Sequence, residues 1–345
     1  MELVFQVRQG PDWPRFTSAN SPLLSDEIYA LETDEVGNIY IGTNAGLSIY
    51  SPEGEWTSIT SRNSDMIGDW VYSVYPASDG RIWLGTQDGL SVLKQDGTGV
   101  SYGDDKLCAN PAIYVIESDA EGNVWVGSRC GLYVTDSFGQ SLQVWPIELG
   151  GSSAIADLFA DSQNRLWVGS ERGLGYITDD GTNVVFTEED LGVRIFGPKG
   201  FVEGSDGRIL VRIGRQLAAY NGEWKLARFL PTSSSADRRQ DLIFDNKGRL
   251  WAGVSGTGLV YVDGDSREVF TPQNSGMQHY VPIVLMLDDT GFLWVGSLDA
   301  RTSLYSSLLY SKLEGQGGVS WLDLNSDLPR VAPSELKRAR SLVTI

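Results

Sequence analysis

The chain alternates short apolar runs with turns rich in Gly, Asp, Asn and Ser, and this alternation repeats along almost its whole length. One unit recurs: a turn, a Gly, a variable residue, an apolar residue, an aromatic, an apolar residue, then Gly and Ser or Thr. It reads GNIYIGT at 37–43, GRIWLGT at 80–86 and GNVWVGS at 122–128. It continues as NRLWVGS at 164–170, GRLWAGV at 248–254 and GFLWVGS at 291–297. The fifth copy in chain order, GRILVRI at 207–213, has lost both the aromatic and the second Gly. Tyr40, Trp83, Trp125, Trp167, Leu210, Trp251 and Trp294 thus hold equivalent places, about 42 residues apart. A fixed period of this length marks a repeat architecture.

Each copy divides into four short strands, A to D. Strand A is apolar and runs into an Asp-containing turn, as in IYALETDEVG at 28–37. Strand B carries the aromatic and is apolar at consecutive positions, which predicts burial on both faces. Strand C follows a Gly-Leu pair, as in GLSIY at 46–50 and GLYVT at 131–135. Strand D often holds a second aromatic: Trp56, Tyr102, Trp145, Phe186, Trp224, Phe270 or Trp321. One small sheet cannot bury its own faces, but neighbours in a ring can bury them for each other. The pattern therefore predicts an all-β chain, a β-propeller of four-stranded antiparallel blades forming one domain over 1–345. Its repeats fall at about 28–60, 71–102, 113–145, 155–187, 199–229, 239–271 and 281–323. The β-branched, aromatic and Gly-rich content excludes helical repeats of similar length.

The ends extend the pattern. Residues 3–21 match strands C and D, and residues 339–345 match strand A, with Leu342 standing where Leu31, Val74 and Ile116 stand. The favoured expectation is a split closing blade made from 1–17 and 339–345, giving eight blades. In the alternatives, the N-terminal strands complete the seventh repeat and residues after about 300 are an appendage, or residue 345 is a boundary just before an expected turn.

Composition narrows the function. The 345 residues carry a net charge of -18, which argues against nucleic acid as a partner, since phosphate binding needs clustered Lys and Arg. No apolar run is long enough to span a membrane, so no membrane insertion is expected. The N-terminal Met-Glu-Leu-Val-Phe has no basic region followed by an apolar stretch, so no secretory leader is read there.

The motif DAEGNVWVGSRCGL at 119–132 resembles the two-component regulator propeller repeat, whose hallmark is an Asp-x-x-Gly turn, an apolar-Trp-apolar-Gly-Thr strand and then Gly-Leu. The resemblance recurs seven times. It implies a propeller of the kind found in the extracytoplasmic sensor half of membrane histidine kinases, often those responding to oligosaccharides, and in stand-alone exported proteins. An extracytoplasmic location, periplasmic or secreted, is accordingly expected ahead of a cytoplasmic one.

The recurring Asp34, Asp119, Asp161, Asp245 and Asp288 are read as turn residues that bond the backbone ahead of a Gly, not as metal ligands. The Trp series is read as core. Function is expected where the copies differ, on the face shared by the D-to-A and B-to-C loops. Trp70, Tyr72, Tyr114 and Tyr280 can stack on sugar faces there, and Arg129, Arg172 and Arg239 can bind carboxylates or hydroxyls. Glu171 and His279 complete the candidate set. Cys108 and Cys130 fall in two loops of one blade on that same face, so a disulfide and an oxidising compartment are expected.

Catalysis is not expected. One histidine, His279, leaves only carboxylates as general bases, and no nucleophile elbow, phosphate loop or metal-spaced cluster occurs. No cofactor or metal is expected. The sequence thus predicts a non-catalytic sensory or ligand-binding propeller for a glycan or other polar solute. A protein-interaction scaffold is the alternative, and a propeller lyase or lactonase the third reading.

Overall fold

The computed structural model describes residues 15–312, apart from 215, 228–240, 246, 255, 264–265, 276–280, 290 and 299–305. After β1 (Arg15–Phe16) the chain builds sheet after sheet. The first sheet is β2 (Ile28–Thr33), β3 (Ile39–Thr43), β4 (Gly46–Tyr50) and β5 (Trp56–Ile59). The second is β6 (Val71–Pro76), β7 (Ile82–Thr86), β8 (Gly89–Leu93) and β9 (Gly99–Tyr102). The third is β10 (Ile113–Ser118), β11 (Val124–Ser128), β12 (Gly131–Thr135) and β13 (Gln143–Trp145). The fourth is β14 (Ile155–Ala160), β15 (Leu166–Ser170), β16 (Leu174–Ile177) and β17 (Asn183–Phe186), followed by the single turn α1 (Glu188–Leu191). The fifth is β18 (Lys199–Glu203), β19 (Ile209–Ile213), β20 (Gln216–Tyr220) and β21 (Trp224–Ala227). The sixth is β22 (Leu242–Phe244), β23 (Leu250–Val254), β24 (Gly258–Asp263) and β25 (Ser266–Phe270). The last comprises β26 (Val281–Leu287), β27 (Phe292–Leu298), β28 (Ser306–Lys312) and, returning from the N-terminus, β1.

Every sheet is four-stranded and antiparallel, and the first strand of each packs against the first strands of its neighbours. The protein is an all-β β-propeller. The expected burial of strand B on both faces is observed: β3, β7, β11, β15 and β23 are buried at every position. The Gly after the aromatic is what lets adjacent sheets approach. A Cβ on Gly85 would come within 2.8 Å of Ile113 Cγ2 and 2.9 Å of its carbonyl oxygen, in the next sheet. A Cβ on Gly296 would sit 2.4 Å from Val284 and 3.2 Å from Ile28, so β27 abuts the first sheet in the same way. The aromatics are core, as expected: Trp83 and Trp167 are fully buried, and Trp125, Trp251 and Trp294 nearly so. The outer aromatics pack on them, Trp145 edge-on to Trp125 at 5.0 Å between ring centres and Phe270 stacked on Trp251 at 5.7 Å.

The repeated Asp turns serve the core. Asp119 Oδ1 accepts from the N–H groups of Glu121 and Asn123, and its Oδ2 accepts from Asn123 Nδ2 and from Trp125 Nε1. Asp34, Asp161, Asp245 and Asp288 likewise take the ring donor six residues on, from Tyr40, Trp167, Trp251 and Trp294. The turn reading of these aspartates therefore holds, and each carboxylate also holds a ring donor of the core.

The ends differ from the favoured expectation. Arg15 and Phe16 pair with Leu309 and Leu308 of β28, so this part of the N-terminal stretch is the outermost strand of the sheet formed by β26–β28. The place foreseen for Trp321 in that sheet is taken by Phe16, because the second aromatic is supplied by the other end of the chain. Residues 1–14, Trp321 and the 339–345 segment lie outside the described residues.

Candidate functional site

On the face carrying the D-to-A and B-to-C loops, the first strands are irregular in a regular way. The β2–β3 register shifts between Ile28 and Ala30, that of β6–β7 between Val71 and Ser73, and that of β10–β11 between Ile113 and Val115. The extra residue in each case is a tyrosine: Tyr29, Tyr72 and Tyr114. A bulge releases one residue from the ladder and re-aims its side chain. Here three bulges at one register set three phenols side by side at the loop-face end of the inner strands.

Trp70 completes the group. Tyr29 and Trp70 lie 5.7 Å apart between ring centres, Tyr29 and Tyr72 5.8 Å, Trp70 and Tyr72 5.7 Å, and Tyr72 and Tyr114 6.1 Å. Tyr29 is buried, while Trp70, Tyr72 and Tyr114 are half-buried and offer ring area. Trp70 Nε1 is buried and meets no acceptor. The structure therefore gathers Trp70, Tyr72 and Tyr114 as the candidate set placed them, and adds Tyr29. That residue was legible: the apolar-Tyr pair at 28–29 recurs at 71–72 and 113–114.

The two loop classes are tied together on this face. Gln87 N–H donates to the Trp70 carbonyl at 3.1 Å and Arg129 N–H to the Ala112 carbonyl at 2.9 Å, each joining a B-to-C loop to the start of a first strand. Arg129 is exposed, two residues from Tyr114 across that bond. Its neighbour Cys130 is bonded to Cys108, with the Cα atoms 6.5 Å apart, so the disulfide fastens the third sheet's B-to-C loop to the loop that leads into β10. Glu171 and Arg172 stand one sheet further round, where the Gly197 N–H donates to the Glu171 carbonyl. Arg239, His279 and Tyr280 lie outside the described residues.

The D-to-A loops, expected to be the variable part, are partly repeats themselves. In TSANS at 17–21 and TSRNS at 60–64 the Asn side chain accepts from the Thr N–H at 2.7 Å, and the last Ser hydroxyl donates to the Thr carbonyl at 2.7 Å. Asp26 and Asp69 then accept from the N–H of Ser18 and Ser61. TPQNS at 271–275 repeats the Asn and Ser bonds. These loops are held by their own side chains, so the aromatic group rests on a fixed frame.

A buried carboxylate lies at the same end of the fourth sheet. Asp157 Oδ2 accepts from Gly200 N–H of the fifth sheet at 2.6 Å and its Oδ1 from Leu158 N–H at 3.0 Å. Burial pushes its carboxyl up to about 7, against the opposing pull of Lys199 and of these backbone donors. No cluster of metal-ligating side chains occurs among the described residues.

Residues 65–88 match the two-component regulator propeller family model. No curated protein matches the sequence. Among solved structures, the chain is similar to the extracellular domain of the hybrid two-component system BT3049 from B. thetaiotaomicron, at 18% identity and a TM-score of 0.67, covering 86% of this chain and 41% of that one. It is equally similar to virginiamycin B lyase from Staphylococcus aureus, at 15% identity and a TM-score of 0.67, over 87% and 99% of the two chains. PorZ, a surface component of the type-IX secretion system of Porphyromonas gingivalis, matches at 15% identity and a TM-score of 0.67 over 83% and 46%. At these identities the likenesses bear on the fold alone. The fold is shared by the extracellular domain of a two-component system and by a lyase.

Proposed function

We propose that this chain, which carries a two-component regulator propeller repeat at 65–88, is a non-catalytic sensory module that binds a glycan or similar polar solute on its loop face. The observation that carries the reading is the aromatic group of Tyr29, Trp70, Tyr72 and Tyr114, three of its members re-aimed by bulges at one register. Half-buried rings on a rigid frame supply stacking area for the C–H faces of a sugar at low entropic cost. Trp70 Nε1, a donor without an acceptor, suits a hydroxyl brought by the ligand. Arg129 and Arg172 on the same face add charged donors for a carboxylate or hydroxyl, and Glu171 an acceptor. Arg239, His279 and Tyr280 extend the proposal to loops of the later repeats.

The single histidine of the chain leaves acid–base chemistry short of groups, which favours binding over a lyase or lactonase activity. The disulfide, joining the only two cysteines, favours an oxidising compartment and hence an extracytoplasmic location. No helix among the described residues is long and apolar enough to cross a membrane. We assign the whole chain to one domain of seven blades, the last closed by β1, because β1 pairs with β28 and β26 packs against β2.

Titration of an oligosaccharide panel by calorimetry tests the reading. Trp70→Ala and Tyr72→Ala are expected to weaken binding of the recognised sugar at least tenfold each, about the worth of one lost stacking contact. Unchanged affinity in both variants overturns the site, and a panel without any binder favours the protein-interaction alternative.

A further inference from the structure

The loop that leads into β10 departs from the rule kept by the loops ahead of β2 and β6. Ile59 and Tyr102 end their D strands opposite equivalent leucines, Leu47 and Leu90, so Gly103, Lys106 and Leu107 stand where Thr60, Asn63 and Ser64 stand. The backbone makes the same turn as at 17–21, with the N–H groups of Lys106 and Leu107 donating to the Gly103 carbonyl at 3.0 Å. The side chains that fasten the turn elsewhere are replaced. Glycine and leucine carry no polar group, and Pro111 stands two residues ahead of β10 where Asp69 stands two residues ahead of β6. This loop is tied instead by Asp104, whose Oδ1 accepts from Asn110 N–H at 3.1 Å, by Leu107 against the core, and by the disulfide from Cys108 to Cys130.

The ties hold a costly backbone. Asn110 has a left-handed φ of 55° directly ahead of Pro111, where the proline ring favours an extended residue. From there the loop leads straight to the aromatic group. Ala112 N–H donates to the Asn110 carbonyl and Arg129 N–H to the Ala112 carbonyl, both at 2.9 Å. Two residues after Ala112 comes Tyr114, in the β10 bulge, with its ring 6.1 Å from that of Tyr72. Both cysteines are only half-buried, and solvent-reachable disulfides are the ones that exchange with thiols.

Resting on the glycan reading of this face, we propose that the Cys108–Cys130 bond is a redox switch for it: a dithiol reductant opens the bond, the 103–112 loop relaxes, and Tyr114 and Arg129 leave the placement that binding requires. One thiolate of the dithiol attacks a cysteine sulfur and releases the other cysteine as a thiol. Its second thiol then attacks the mixed disulfide. Two electrons and two protons pass to the cysteines, and the reductant leaves as a cyclic disulfide.

The test compares the oxidised chain, the chain reduced with dithiothreitol, and the double variant Cys108→Ser with Cys130→Ser. Alkylation and mass measurement count the thiols, and circular dichroism follows the fold. Hydrogen exchange at Leu107, Asn110 and Arg129 is expected to quicken about fivefold or more on reduction and in the double variant, to leave 60–70 unchanged, and to recover on reoxidation. The double variant should ignore dithiothreitol. The tightest binder of an oligosaccharide panel that includes maltohexaose and cellohexaose is expected to weaken about fivefold or more on reduction. Unchanged exchange in the 103–112 loop, global unfolding on reduction, or equal sugar affinity in the two redox states overturns the switch. A panel without any binder to the oxidised chain sinks the glycan reading instead, and the loop's release then stands or falls on exchange alone.

Discussion

At the scale of the residue, the fold rests on a pairing between an aspartate and the ring donor six positions later. Two copies lack the aspartate, and they differ instructively. In the fifth, Gly204 stands at the Asp place, and the ring partner is Leu210, which has no donor to satisfy. In the second, Ala77 stands there while Trp83 remains, and Trp83 Nε1 is buried without an acceptor. The backbone is already in the required shape: Ala77 N–H donates to the Arg81 carbonyl at 2.8 Å and the Ala77 carbonyl accepts from Gly80 N–H at 3.0 Å, as Asp119 does with Asn123 and Gly122. Ala77→Asp is therefore expected to raise stability by about 1–2 kcal/mol in urea unfolding, the worth of satisfying one buried donor. A loss of stability would show that the orphan is tolerated for another reason, for instance that Arg81 is better held by Asp79. The turns and the aromatic core were legible because they recur in most copies. The bond between them was not, because it spans six positions and becomes visible only once the strand turns the Trp ring back over the turn.

At the scale of the element, the first strands do two jobs that alternation of apolar and polar residues does not reveal. Their bulges aim the loop-face tyrosines, and their buried aspartates reach across to the next sheet. Asp157 and Asp241 both lie opposite the strand-B glycine, at Gly169 and Gly253. Asp157 accepts from Gly200 N–H, and Asp241 from Leu285 N–H at 3.2 Å, each in the neighbouring sheet. Of the two, Asp157 shows a cost of burial, which holds its carboxyl up to about 7 against an ordinary 3.8. A carboxyl raised in the folded state binds more protons there than in the unfolded chain between those two values. Its contribution to stability is thus fully present below about pH 4 and is lost as pH rises through 7. Asp157→Asn keeps the shape and removes the titration. Relative to the variant, the parent should lose on the order of a few kcal/mol between pH 4 and 7. Parallel stability profiles over that window would refute the assignment. A sequence reading sees Asp157 and Asp241 as polar interruptions of strand A. The neighbour that makes each one necessary is about 43 residues away, where no local pattern points.

At the scale of the whole molecule, a ring of sheets must solve one problem that its repeats cannot encode, which is how the last sheet meets the first. The repeat supplies part of the answer, since Gly296 admits Ile28 just as Gly85 admits Ile113. The rest comes from outside the repeat. Phe16 of β1 lies 5.1 Å from Tyr50 and 5.2 Å from Trp56 in the first sheet, and stacks 6.5 Å from Trp294 in the last. One side chain thus joins both sides of the seam, while its backbone joins Leu308. Residues 15–16 pair with β28, as in the alternative where the N-terminal strands complete the seventh repeat. That partner was not legible because residues 3–21 resemble any other C–D pair, and sequence similarity among repeats does not say which sheet a terminal strand completes. Closure through Phe16 makes a specific demand. Phe16→Ala removes a half-buried ring with three aromatic neighbours and is expected to cost about 2–3 kcal/mol. The loss should concentrate at the seam: hydrogen exchange should quicken in β26–β28 and in β2, and leave the amides of β14–β17, across the ring, near the parent rate. A uniform acceleration in all sheets would mean that the ring opens only as a whole. No change at the seam would mean that contact between β26 and β2 alone holds it shut.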